Sequence, residues 1–124
     1  MSYFYVVAGA VAGAPLRYFL GSRVQEAVGA NFPAGTMFVN VTGCFFIGLL
    51  ATLAEERDLL SREARLLLIT GLLGSYTTFS AFGYETLELL RDNLVLRAML
   101  NVVASCALGV AAAWFGMIAA RASG

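Results

Sequence analysis

Residues 71–82 read GLLGSYTTFSAF, straight after RLLLIT at 65–70. A stretch apolar enough for a membrane span turns half-way along to glycine and hydroxyls, then carries two phenylalanines three residues apart. Opening a helix in hydrocarbon frees N–H and C=O groups that lipid cannot satisfy, at several kcal/mol each. Interrupted backbone is tolerated at that depth only where protein buries it or where it lines a wet or ion-filled cavity. Gly71 and Gly74 weaken the helix, and the hydroxyls of Ser75, Thr77 and Thr78 can re-satisfy opened groups. A break near 74–78 therefore competes with an unbroken helix whose hydroxyls bond back to the preceding turn.

The rest of the chain belongs with such a span. Of its 124 residues 60% are hydrophobic and 13% charged, against about 45–50% and about 25% in soluble domains. Helices with so few charges cannot present polar faces to water. Every basic residue is Arg; there is no Lys and no His, which removes imidazole bases and His-based metal sites. There is also no GxSxG, no phosphate-binding loop, no cluster of metal ligands and no basic patch. Enzyme chemistry and nucleic-acid binding have no residues to rest on. Cys44 and Cys106 lie in apolar runs and read as packing residues. The N-terminus has no basic segment ahead of its apolar stretch and reads as a retained helix rather than a signal peptide.

A span needs about 20 apolar residues, and four stretches qualify: 3–22, 35–54, 66–90 and 95–120. The connections are short and hold most of the charge, so residues 1–124 form one all-α, four-helix transmembrane domain. Four spans put both termini on one side with Arg57, Arg62, Arg65 and Arg121; Arg17, Arg23, Arg91 and Arg97 fall on the other. Topology follows Lys/Arg asymmetry, and four against four leaves none. Such a chain can insert both ways up, and inverted copies can pair about a two-fold axis. Two inverted copies of one break would gather enough oxygens for a dehydrated Na⁺. Small residues repeat at helical spacing in the first span (Gly9, Gly13) and in the fourth (Gly109, Ala113 and Ala112, Gly116, Ala120), as close helix contacts require.

Polar residues inside spans are candidates for function. Asn40 interrupts the second span, with Thr36 one turn earlier; its amide offers N–H donors to an anion or to an interhelical bond. Phe79 and Phe82 share one helix face beside Ser80, and ring edges are electropositive. Neutral donors and ring edges can pass an anion without trapping it. Asn101, Ser105 and Gly109 form one stripe on the fourth span, a wet track or a packing seam.

Together, GAPLRY, GTMFVNVTGCFFIG and GLLGSYTTFSAF followed by GYE resemble the CrcB/Fluc family of small prokaryotic fluoride channels, and the resemblance covers essentially the whole chain. It implies an antiparallel dual-topology homodimer in the cytoplasmic membrane of a prokaryote, with two fluoride pores and a central structural sodium ion. It implies that backbone carbonyls of Gly74 and Thr77 hold the sodium. Asn40, Phe79, Phe82 and Ser80 would line the fluoride pathway, with Thr36, Glu85, Asn101 and Ser105 along or near it. Arg17 would stand at a vestibule or snorkel to the interface. Ala81 and the fourth-span register, Asn101 and Ser105, depart from the family pattern. Two rivals remain. A proton-coupled multidrug or cation exporter of similar size needs an embedded carboxylate, for which Glu85 and Glu88 are the candidates, and a non-transporting adaptor leaves the hydroxyl cluster unexplained.

Overall fold

The computed structural model describes residues 1–123, and among them the ordered elements are helical. They are α1 (Ser2–Val28), α2 (Ala34–Glu55), α3 (Arg62–Arg65), a π-helical stretch (Leu66–Leu73), α4 (Gly74–Tyr76), α5 (Phe79–Arg91) and α6 (Val95–Ala122). α1, α2, the composite third span Arg62–Arg91 and α6 are each long and apolar enough to cross a membrane. α1 runs to Val28, beyond the apolar stretch, because its last turns carry a job: the Gln25 side chain organises the connection to α2. Gln25 Nε2 donates to the carbonyls of Gly29 at 2.6 Å and Phe32 at 2.7 Å, and Gln25 Oε1 accepts from the Gly35 N–H at 3.1 Å. That last bond satisfies one of the orphan donors in the first turn of α2.

Close backbone approach, rather than a thick core, holds the bundle together. Lipid is as apolar as leucine, so helix association depends on packing and small residues. α1 crosses the π-helical stretch where Gly9 faces the Leu67 carbonyl, Gly13 faces the Leu72 carbonyl and Ser75 Oγ, and Gly71 faces the Val6 carbonyl. A side chain at any of these positions would strike backbone. Gly71, expected to weaken the helix for a break, instead makes this crossing possible. α2 and α6 lie together in the same way, Gly48 against the Ala113 carbonyl and Gly116 against the Phe45 carbonyl. The largest buried apolar side chains form one small cluster, Val39, Leu73 and Tyr76, with Leu20, Ile47, Leu50 and Leu72 around them. Cys44 is half-buried beside Gly109. Cys106, expected to pack inside, is exposed on the single chain.

At one end of the bundle arginines stitch the helix termini. Arg65 donates to the Ala54 carbonyl of α2 at 2.7 Å and Arg57 to the Ala120 carbonyl of α6 at 3.1 Å. These are last-turn carbonyls, which carry a partial negative charge; that of Ala120 also accepts from Ser123 Oγ at 2.7 Å. Arg121 forms a two-pronged pair with Glu56 at 2.9 and 2.7 Å, and Arg62 reaches Ser2 Oγ at 2.9 Å. The hydrogen bonds from Arg121 hold the Glu56 carboxyl below the usual carboxylate range. Its contribution to stability is present at neutral pH and is lost as pH falls through that lowered value. At the other end α5 turns into α6 through Asn93, whose φ of 60° is left-handed, with the Leu94 N–H on the Leu89 carbonyl and the Asn93 N–H on the Leu90 carbonyl. Asparagine tolerates that conformation at a helix end, and the tight turn lays α5 along the start of α6.

Gly13→Val should lower the free energy of reversible unfolding in mixed micelles by about 1–3 kcal/mol through overpacking. Gly83→Ala, where an added Cβ meets open space, should lose nothing and gain up to about 1 kcal/mol of helix propensity. Equal effects of the two would contradict the crossing described.

Candidate functional site

The third span is interrupted at Thr77 and Thr78. Thr77 has φ −88° and ψ 156°, Thr78 has φ −149° and ψ 113°, and helix resumes at Phe79. Asn40 of α2 lies against this extended pair. Its Nδ2 donates to the Thr78 carbonyl at 3.0 Å, and its Oδ1 accepts from the Thr78 N–H at 2.8 Å. A side-chain amide has one donor face and one acceptor face, so one asparagine meets both polar groups of one peptide residue. It does there what a neighbouring strand would do.

The hydroxyls divide between the two roles open to them. Ser75 Oγ bonds back to the Gly71 carbonyl at 2.8 Å and lies 3.1 Å from that of Leu72, and Thr77 Oγ1 donates to the Leu73 carbonyl at 3.2 Å. Thr78 Oγ1 accepts from the Ala81 N–H at 3.2 Å and caps α5, as a threonine at that position does. Tyr76, buried, places its phenol 2.8 Å from Thr42 Oγ1, which in turn donates to the Phe38 carbonyl at 2.8 Å. Gly43 leaves room for the Thr77 methyl. Three residues within one turn of α2, Asn40, Thr42 and Gly43, thus meet the interruption.

Two half-helices meet here with opposite partial charges: carbonyls end the first, N–H groups begin α5. The Thr78 N–H that an unbroken helix would direct to the Gly74 carbonyl goes to Asn40, and the Ala81 N–H that would serve Thr77 goes to Thr78 Oγ1. The carbonyls of Gly74 and Thr77 are therefore the two whose helical partners are diverted to side chains. They are the same two carbonyls expected to hold a cation, and a hard, oxygen-only donor set suits Na⁺.

Phe79 and Phe82 follow, their ring centroids 5.7 Å apart and tilted by 46°. Phe79 is 83% exposed on the single chain, and Ser80 and Gly74 are exposed as well. Between α1, the start of α2 and α5 opens a cleft of about 670 Å³ lined by Arg17, Gln25, Thr36, Ser80, Tyr84 and Glu85 among others. Thr36 Oγ1 donates to Glu85 Oε2 at 2.9 Å, while Glu85 Oε1 is buried and meets no partner among the described residues. Thr78 Oγ1 and Ser80 Oγ, 3.3 Å apart, link the cleft to the break.

Asn101 and Ser105 lie elsewhere. Asn101, 1% exposed, donates through Nδ2 to Thr86 Oγ1 at 2.9 Å, and Ser105 Oγ donates to Asn101 Oδ1 at 3.3 Å. Thr86 Oγ1 passes its proton to the Phe82 carbonyl at 2.8 Å. This chain ties α5 to α6 behind Phe82 and does not line the cleft. Sequence reasoning missed Thr86, Thr42 and Gln25. Thr86 is a second hydroxyl one turn after Phe82, and Thr42 follows Asn40 by two residues; only the facing partners reveal their use.

A family match and three relatives bear on the site. The family described as CrcB-like protein, Camphor Resistance (CrcB) matches residues 4–117. A relative named Fluoride-specific ion channel FluC from Solibacter usitatus is 46% identical over 121 residues, 98% of this chain and 99% of the relative. Relatives of the same name from Geobacter sulfurreducens and Acidobacterium capsulatum are 49% and 44% identical, over 93% and 95% of this chain and 92% and 94% of their own lengths.

Replacing Asn101 with Leu should cost about 0.6–2 kcal/mol, the range for interhelical hydrogen bonds in membranes. A double-mutant cycle with Thr86→Val should return a coupling of similar size, and zero coupling would show that the bond does not form.

Proposed function

The chain belongs to the CrcB family, and we propose from that membership that it is a fluoride-selective channel that lets toxic fluoride leave the cell passively across the cytoplasmic membrane of a prokaryote. It is a multi-pass membrane protein and not an enzyme. The observation that carries the reading is the interruption at Thr77–Thr78 with its pair of rings, in a chain whose relatives over nearly their full length are named fluoride-specific channels.

Fluoride is small and strongly hydrated, so a conducting path must replace its water with donors that do not trap it. Neutral groups do this: the remaining Nδ2–H of Asn40, the Ser80 hydroxyl and the positive edges of Phe79 and Phe82. Arg17 at the mouth of the cleft draws the anion in without lying along its way. Thr36 orients Glu85 at the same mouth.

The functional unit in this reading is an antiparallel dimer. Gly74, Phe79 and Ser80 put polar backbone, a pore ring and a hydroxyl on the outer surface of one chain at mid-span. Hydrocarbon does not accept the first and the last without cover. A second, inverted copy covers them and brings its own Gly74 and Thr77 carbonyls to the first pair. When sodium is bound there, it supplies a fixed positive charge that holds the two interruptions together. The residues of this chain then line two pathways, one on either side of the two-fold axis. A cation exporter would need a carboxylate that exchanges its proton for substrate, and the relatives' names do not favour that chemistry.

Proteoliposomes containing the purified chain should release fluoride quickly and chloride far more slowly; equal release of both, or none of fluoride, would reject the channel. Phe79→Ile and Phe82→Ile should each cut fluoride flux by tenfold or more, roughly 1.4 kcal/mol in the barrier, with the dimer intact by size-exclusion chromatography. Unchanged flux would take the rings out of the pathway.

A further inference from the structure

We propose that Asn40 is the positioning residue of the cation site as well as a donor on the anion path, so that one side chain serves both ions. The proposal rests on the reading that the Gly74 and Thr77 carbonyls hold sodium.

Three observations lead to it. The Thr78 N–H, which in a continuous helix would serve the Gly74 carbonyl, donates instead to Asn40 Oδ1 at 2.8 Å. The Thr78 carbonyl receives Asn40 Nδ2 at 3.0 Å, which pins the extended conformation of that residue and keeps the span from rewinding through it. An amide carries two N–H groups, and the bonds recorded use one, so the second is left for the path lined by Ser80 and the rings.

The same turn of α2 reinforces the arrangement. Thr42 holds the Tyr76 phenol at 2.8 Å, and Gly43 seats the Thr77 methyl. Asn40 differs from these neighbours in acting on the backbone that must be bare for a cation to bind. A residue that only joined two helices would leave the ligand carbonyls as they were.

The test measures both ions on the same variants. Sodium alone is the probe: the dimer in detergent micelles is melted in rising NaCl with choline chloride holding ionic strength, which yields the Na⁺ concentration at half-maximal stabilisation. Fluoride efflux is measured in proteoliposomes. Asn40→Leu removes both bonds while keeping the branched shape and heavy-atom count of the side chain. Asn40→Ser is one atom too short to span the Thr78 residue, and it decides the question if the leucine variant does not fold. Both should raise the Na⁺ midpoint about 10- to 100-fold, the usual effect of losing a group that orients metal ligands, and both should lose fluoride flux. Phe79→Ile should lose flux with the Na⁺ midpoint of the unaltered chain. Loss of flux in the Asn40 variants with that midpoint retained would overturn the proposal and leave Asn40 to the anion alone. If the unaltered chain conducts fluoride yet gains no stability from Na⁺, the sodium reading falls and this proposal with it, while the channel reading stands.

Discussion

Two hydrogen bonds between the Asn40 amide and the Thr78 peptide groups decide what the third span can be. An unpaired N–H or C=O in hydrocarbon costs several kcal/mol, and the helical alternative for the same residues is always available. Without a partner on α2 the span would rewind, since no threonine preference for extended backbone approaches that cost. With Asn40 in place the interruption keeps its N–H and C=O paired, and the price of irregular backbone is reduced to the carbonyls just before it. Those carbonyls are then free to do chemistry that a continuous helix forbids. Structure and site are thus one arrangement.

That interaction depends on how near α2, α1 and the third span approach one another. The crossing of α1 at Gly9 and Gly13 with the π-helical stretch at Gly71 fixes the first half of the third span. The α2–α6 seam at Gly48 and Gly116 fixes the helix that carries Asn40. The hydrogen-bonded chain Thr86–Asn101–Ser105 ties the second half, α5, to α6. Each half of the interrupted span is therefore held by a different neighbour, and α2 supplies the side chain that bonds the backbone where they separate. A wound span shifts as a unit; this one is anchored in two pieces.

Much of this was legible in the residues because the membrane restricts the choices. Four apolar stretches, a hydroxyl cluster at mid-span, an asparagine in the second span and a spaced phenylalanine pair each stood out against a hydrocarbon background. What could not be read was which groups meet. Asn40 acts on backbone, and backbone leaves no mark in a sequence, so its partner was open between an ion and another helix; the structure gives it the Thr78 peptide. Gly71 suggested weakness and proved to be clearance for α1. Asn101 and Ser105 shared a stripe with Gly109, and only the facing Thr86 showed that the first two are bonding behind Phe82. Gln25 looked like an ordinary polar residue at the end of a span, yet three bonds from its side chain shape the mouth of the cleft.

The stitched arginines carry a practical consequence. Arg57, Arg62, Arg65 and Arg121 share their end of the bundle with Glu55, Glu56, Asp58 and Glu63, and Arg17, Arg23, Arg91 and Arg97 share theirs with Glu26, Glu85, Glu88 and Asp92. Neither end outbids the other in either sign, so orientation rests on a balance that a laboratory can upset. Both termini emerge at the stitched end, and a purification tag with a few lysines or arginines would weight that end alone. A handle added for convenience would then decide which way up every copy lies, and the antiparallel pairing proposed for this chain would be left without its inverted member.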